Sequence, residues 1–161
     1  MDCSIFLIVF LFIVFVLFLI SFWNCRRLRR LEDSNDKRKI LQYGLYHFTD
    51  EEGKNGIIKT NKILASKYLV PFCNETNKSW FCSLEGNPAE SIKEFLKKYG
   101  KAKKFRGKRY CFHLTGFTEK EIDEKMFFRK MDKSIAYDGE CSKQMELYEK
   151  IDERTEEWKK V

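Results

Sequence analysis

Histidine and cysteine side chains offer the most direct chemistry in this 161-residue chain. Six of these residues lie C-terminal to a long apolar segment, namely His47, His113, Cys73, Cys82, Cys111 and Cys141. A cysteine beside an imidazole can act as a nucleophile, so Cys82 or Cys111 with either histidine is one hypothesis, and the sequence selects no particular pair. Because no two cysteines have the short Cys-x-x-Cys spacing of structural zinc sites, the sequence predicts no metal site.

A more specific pattern runs from Leu45 to Ser66. It begins with the aromatic-rich strand pattern Leu-Tyr-His-Phe-Thr, continues through an acidic helix start to Gly-Ile-Ile, and ends in Ile-Leu-Ala-Ser. This stretch resembles the opening strand and helix of ADP-ribosyltransferases of the His-Tyr-Glu/Asp group, whether toxin-type or poly(ADP-ribose) polymerase-like. The resemblance implies a small split-sheet α+β fold and NAD as the substrate.

Within that resemblance, His47 matches the family histidine, which donates a hydrogen bond to the adenosine-side ribose of NAD. Adjacent backbone groups, here those of Phe48 and Thr49, would hold the nicotinamide amide. Without the surrounding pattern, a histidine in an apolar strand is more often a packed core residue with both ring nitrogens satisfied internally. The resemblance therefore predicts that His47 binds the cofactor and takes part in catalysis.

The same resemblance implies an aromatic ring that stacks on the nicotinamide and a carboxylate late in the chain. The aromatic is Trp80 or Phe81, since the usual tyrosine is absent and either flat ring would serve. The expected catalytic carboxylate is Glu140, which would stabilise the positive charge that develops as the glycosidic bond breaks. Asp138 is the second candidate, although Asp138-Gly139 is also an ordinary turn signal.

Helix starts and short strands predict one α+β domain over residues 40–161. The capping patterns are Thr49 with Glu52, Asn87-Pro88 with Glu90, and Thr118 with Glu121. The predicted strands are Leu41–Phe48, Trp80–Leu84, Tyr110–Leu114 and Ser134–Tyr137, while Met145–Tyr148 is a strand or a helix start. Gly56 is expected to let the first helix lie close to a strand, and the charged C-terminal end is expected to form a solvated helix.

Residues 1–25 predict a transmembrane anchor. The stretch from Ile5 to Trp23 contains 19 residues without a charge, and as a helix it would be about 28 Å long. A cleaved signal peptide is the alternative, but such peptides have a basic start and a shorter apolar run. The sequence therefore predicts a single-pass membrane protein.

A basic juxtamembrane linker is predicted over residues 26–39, which carry +4 of the net charge of +7. Because Lys and Arg follow the apolar run and none precedes it, the C-terminal domain is expected to face the cytosol, where its cysteines would be free thiols. The linker could also attract anionic lipid headgroups. Two glycosylation patterns, Asn74-Glu75-Thr76 and Asn77-Lys78-Ser79, leave a luminal domain open.

The stretch from Lys97 to Arg109 mixes cations with aromatics, which is typical of nucleic-acid or phosphate binders and also of a solvated helix end. The leading hypothesis from the sequence is a membrane-anchored ADP-ribosyltransferase-like protein that binds NAD and transfers ADP-ribose to a protein or nucleic-acid acceptor. The alternative is a catalytically inactive tethered module that binds a partner protein or anionic lipid. A third hypothesis is nucleic-acid binding through the basic stretch.

Overall fold

The computed structural model describes residues 3–25, 28–30, 34–66, 77–102, 105–129, 134–152 and 157–161. Within these ranges the helices are α1 Cys3–Cys25, α2 Ser34–Tyr43, α3 Glu51–Thr60, α4 Pro88–Tyr99 and α5 Glu119–Lys125. The strands are β1 Leu28–Arg30, β2 Leu45–Thr49, β3 Lys78–Phe81, β4 Tyr110–Thr115, β5 Met126–Arg129, β6 Ser134–Asp138, β7 Gln144–Lys150 and β8 Trp158–Lys160.

The strands form two antiparallel four-stranded sheets. The first sheet has the order β1-β5-β6-β3, and the second has the order β2-β4-β7-β8. A single bridge between Tyr46 and Cys82 joins β2 to the residue that follows β3. The prediction of an α+β fold is therefore confirmed. Among the described residues, the bridge at Tyr46 and Cys82 is where the edge of one sheet pairs with the edge of the other.

The space between the two sheets is filled by the larger apolar core. Side chains alternate between the two faces of a strand, and the second sheet turns Leu45, Phe112 and Leu114 toward the first sheet, which contributes Phe81 and Ile135. We call these facing surfaces the inner faces. His47 pairs with Phe112 across β2 and β4, so its side chain also belongs to the inner face.

A second core covers the outer face of the second sheet. There, Tyr46 and Phe48 point away from the first sheet, and α4 lies over them with Ile92 and Phe95. The rings of Phe48 and Phe95 stack with centroids 5.4 Å apart. The second sheet is consequently buried on both faces, which fixes β2 firmly in position.

Two of the three predicted helix caps are confirmed. Asn87 caps α4 by accepting a hydrogen bond from Ala89 N at 3.1 Å, and Thr118 and Glu121 form the capping box of α5. The cap of α3 is Asp50, which accepts from Gly53 N at 3.0 Å, rather than Thr49. The prediction there was wrong by one residue, because Thr49 still belongs to β2.

Three further segments differ from the sequence-based prediction. Residues 34–43 form helix α2, where the sequence predicted the end of a linker and the start of a strand. The helix is held in place because Ile40 is buried in the core between the two sheets and Lys39 pairs with Glu85 at 2.6 Å. The charged C-terminal end forms β8 instead of a helix, because Trp158 packs into the outer core. Gly56 has open space around it, so the expected close approach of α3 to a strand at this residue was wrong.

The prediction of a transmembrane helix over residues 1–25 is corrected by the structure. Among the described residues, no helix is both long enough and apolar enough to cross a bilayer. The expected single-pass membrane location with a cytosol-facing domain is overturned with it.

Two glycine substitutions should change stability in opposite directions. Gly44 has φ +73°, and a Cβ there would lie 2.0 Å from the carbonyl oxygen of Leu114, so Gly44→Ala should lower the free energy of unfolding by at least about 2 kcal/mol. Gly56→Ala should raise it by about 1 kcal/mol, because alanine favours a helix and meets no neighbour. Denaturant unfolding of the full chain measures both, and equal effects would contradict the described backbone.

Candidate functional site

The two sheets separate directly after the bridge between Tyr46 and Cys82. Tyr46 N donates to Cys82 O at 2.9 Å, and Cys82 N donates to Tyr46 O at 2.8 Å. In a continuing antiparallel ladder, the next hydrogen-bonded pair would be Phe48 and Trp80, two residues further on each strand. Instead, Nδ1 of His47 lies 2.9 Å from the carbonyl oxygen of Trp80. The imidazole thus takes the place of the next ladder bond, and we call the resulting gap between β2 and β3 the split.

The contact with Trp80 determines which ring nitrogen of His47 carries the proton. A carbonyl oxygen only accepts, so Nδ1 of His47 must be the donor. Burial lowers the pKa of His47 below its usual value of 6.5 and outweighs the hydrogen bond to Trp80, which raises it. The neutral ring therefore presents Nε2 as an acceptor. The sequence-based expectation was a histidine that donates to a ribose hydroxyl, whereas this tautomer would accept from one.

Phe48 supplies backbone groups at the same place. Backbone N–H and C=O groups of alternate residues point to the same side of a strand, so those of Phe48 point as those of Tyr46 do, toward β3. The pairing of β2 with β3 does not extend to Phe48, so these groups face the split. The ring of Phe48 is held on the outer face against Phe95 and Trp158, which fixes the direction of its backbone.

Thr49 closes one end of the split rather than opening into it. Its side chain is buried, with 5% of the residue exposed, and a Cβ on Gly53 would lie 1.9 Å from its Oγ1. The first turn of α3 therefore sits directly on Thr49 and depends on glycine at position 53. Of the backbone pair that the resemblance implied, Phe48 is the residue with groups directed into the split.

The structure separates the two aromatic candidates. Phe81 lies on the inner face, and its ring meets that of His47 edge to face with centroids 5.8 Å apart. Trp80, as the neighbouring strand residue, points to the opposite face, where the guanidinium of Arg129 lies 4.1 Å from the centre of its ring. Phe81 is thus the ring that shares the site with His47, while Trp80 contributes its carbonyl oxygen.

Neither acidic candidate lies with His47. Glu140 is exposed and pairs with Lys62 at 3.2 Å, just beyond the C-terminal end of α3, whereas His47 precedes its N-terminal end. The ten residues of α3 put about 15 Å between these two ends. Asp138 pairs with Lys78 at 2.6 Å on the same face of the first sheet as Trp80, away from the inner face.

The β6 residue beside the site is Ile135. It pairs with Phe81 across β3 and β6 and is 2% exposed, so its side chain lies on the inner face beside the ring that meets His47. Sequence reasoning missed both Ile135 and the carbonyl of Trp80. The alternation of Ile135 and Tyr137 was the signal that could have shown which side of β6 faces the core.

The second histidine has a structural environment. Nε2 of His113 donates to the carbonyl oxygen of Tyr43 at 2.7 Å, and its ring stacks on Tyr46 with centroids 4.5 Å apart. Both rings lie on the outer face beneath α4. His113 therefore fastens the end of α2 to the second sheet and lies on the opposite face from His47.

Cys82, Cys111 and Cys141 are buried, and none of them forms a disulfide bond. Burial raises the pKa of Cys111 well above 9 and that of Cys141 to about 12, so neither is ionised near neutral pH. Strand β2 lies between Cys82 and Cys111, which separates their Cα atoms by about 10 Å and exceeds the span of a disulfide. The Cys–His nucleophile hypothesis gains no support for Cys111. Cys73 and Asn74 lie outside the described residues.

Comparison with known proteins gives no match: no family model, no curated protein and no solved structure corresponds to this chain. Within the described residues, no group of three or more His, Cys, Asp or Glu side chains could hold a metal ion. The features that bear on function are therefore the positions of His47, Phe48, Phe81 and Ile135 around the split.

The lowered pKa of His47 should make stability depend on pH. As pH falls through about 6.5, the unfolded chain takes up a proton at this residue that the folded chain resists, so the free energy of unfolding should fall, by up to about 1.4 kcal/mol per pH unit. The variant His47→Asn lacks this group and should show a flatter profile between about pH 7.5 and pH 5. Denaturant unfolding across this range is the measurement, and parallel profiles would show that His47 titrates normally.

Proposed function

We propose that the two-sheet domain is an NAD-binding domain of the ADP-ribosyltransferase type, and that it holds the dinucleotide without transferring ADP-ribose at an appreciable rate. The observation that carries the proposal is the split. A neutral imidazole and the backbone groups of the next residue, Phe48, face the same gap between two sheets. The resemblance of residues 45–66 implies that the same two groups meet a ribose and a nicotinamide amide, with His47 here accepting from the ribose instead of donating to it.

Each group at the split has a defined role in binding. Nε2 of His47 accepts a hydrogen bond from a ribose hydroxyl, because Nδ1 is already committed to Trp80. The N–H and C=O of Phe48 pair with the carbonyl and amino groups of the nicotinamide amide, as one strand pairs with the next. The ring of Phe81 forms an apolar wall beside them.

The identity of residue 135 is the reason for proposing binding in place of transfer. When the bond between nicotinamide and ribose breaks, positive charge develops at the sugar carbon, and a nearby carboxylate stabilises it. At the split, the β6 side chain on the inner face is that of Ile135, and Glu140 pairs with Lys62 at the far end of α3. These positions favour a domain that binds NAD without transferring ADP-ribose to a protein or nucleic-acid acceptor.

Calorimetry with NAD and the full chain tests this proposal. The unaltered chain should bind NAD, and His47→Ala should weaken binding by about tenfold, because it removes one hydrogen bond to the ligand and the contact that holds the split open. Glu140→Gln is the matched control, since it removes a carboxylate from the other end of α3. It should leave the affinity within about twofold.

Chromatographic measurement of nicotinamide in the same samples separates binding from transfer. The proposal predicts binding that depends on His47, with no release of nicotinamide above the level of a buffer blank. Absence of NAD binding by the unaltered chain would refute the nucleotide site. Release of nicotinamide that Glu140→Gln abolishes would instead show a transferase in which Glu140 is catalytic.

A further inference from the structure

A basic cavity of about 380 Å³ lies at the C-terminal end of α4. It is a half-open cavity bordered by that helix end, by residues 100–101 and 105–109 of the following loop, and by the end of β7. Among the described residues that line it, six of ten are cations, namely Lys97, Lys101, Arg106, Lys108, Arg109 and Lys150, and none is acidic. Its size falls within the range of small-ligand sites, about 300–1,000 Å³.

This cavity is separate from the split. Leu96 and Phe105 line it, and both pack with Phe48 in the core on the outer face of the second sheet. His47 and Phe81 lie on the inner face of their sheets, so the body of the second sheet stands between the two places. An inference about the cavity therefore does not depend on the proposed function of the split.

Most of the positive charge around the cavity has no protein counterpart. Lys108 pairs with Asp50 at 2.5 Å, but Lys97, Lys101, Arg106 and Lys150 form no ion pair within the described part of the chain. Like charges gathered around one cavity repel each other. An anion with several charges would remove that repulsion and replace it with attraction.

Four of the six cations, Lys101, Arg106, Lys108 and Arg109, lie on the loop after α4. Backbone hydrogen bonds hold this loop. Phe105 N donates to Ala102 O at 2.9 Å, and Lys108 N donates to Phe105 O at 3.2 Å. Gly107 has φ +74°, a left-handed conformation that glycine adopts without strain. Beyond the loop, Lys150 N donates to Arg109 O at 3.0 Å. The backbone from Phe105 to Arg109 is thus held by turns before any ligand arrives, which lowers the part of the entropy cost of binding that comes from ordering the backbone.

We propose that this cavity binds a compact group of linked phosphates, such as the di- or triphosphate moiety of a small molecule. Several cations around a half-open cavity match a short chain of charges, and Lys and Arg are the usual partners of phosphate oxygens. A single-stranded nucleic acid fits less well, because such binders stack bases on exposed aromatic rings. Phe105 is the aromatic residue that lines the cavity, and it is 8% exposed.

Titration of the full chain with inorganic tripolyphosphate at fixed ionic strength tests the proposal. The double variant Lys101→Glu/Arg106→Glu should bind at least about tenfold more weakly, since it removes two charge-assisted contacts and introduces repulsion. Lys59→Glu/Lys120→Glu carries the same change in net charge at exposed positions on α3 and α5, and its affinity should stay within about twofold of the unaltered chain. Lys101→Gln/Arg106→Gln repeats the test without charge reversal, and circular dichroism checks that each variant is folded.

The outcomes are distinct. Loss of tripolyphosphate binding in the cavity variants alone, with His47→Ala unchanged, supports a phosphate site independent of the split. Equal weakening in the Lys59/Lys120 control, or no binding by the unaltered chain at low salt, would overturn it. Binding of a single-stranded oligonucleotide that strengthens with its length and exceeds that of tripolyphosphate would also overturn it, in favour of an extended nucleic-acid surface.

Discussion

The hydrogen bond from Nδ1 of His47 to the carbonyl oxygen of Trp80 is the constraint on which the arrangement of the two sheets depends. Two hydrogen bonds join Tyr46 to Cys82, and regular pairing would continue from there into one sheet. The imidazole occupies the next acceptor and stops that pairing. As a result, one edge of β2 keeps polar backbone groups that face a gap, while its other edge is fully paired with β4.

The structure can keep this gap because packing on both faces and pairing with β4 stabilise β2. Its inner residues pack against the first sheet, and its outer residues, Tyr46 and Phe48, pack beneath α4. Unpaired backbone groups in a buried place cost free energy, and two apolar cores supply the stability that offsets this cost. Under the proposed binding function, a ligand with amide and hydroxyl groups would satisfy the backbone groups of Phe48 that the ladder leaves unpaired.

Local chemistry could be predicted from the sequence, and long-range placement could not. Asn87 and Thr118 act as helix caps because capping depends on residues within one turn. Ile135 pairs with Phe81, which lies 54 residues earlier in the chain. This pairing depends on the register of β3 and β6, which the sequence alone does not reveal. Order along the chain suggested that Glu140 lies near His47, whereas in the structure Glu140 pairs with Lys62 beyond the C-terminal end of α3. The strand at Trp158 was missed because burial by tertiary packing overrides the helix preference of its charged neighbours.

The central claim is that His47 is a neutral imidazole with its proton on Nδ1, held by Trp80 and presenting Nε2 to the split. Nitrogen NMR of the full chain, labelled with ¹⁵N-histidine, distinguishes the two neutral tautomers and the charged ring directly. At neutral pH the account predicts the Nδ1-protonated form for His47, with a change in the Nε2 signal when NAD is added. An Nε2-protonated or charged ring, with no response to NAD, would contradict it.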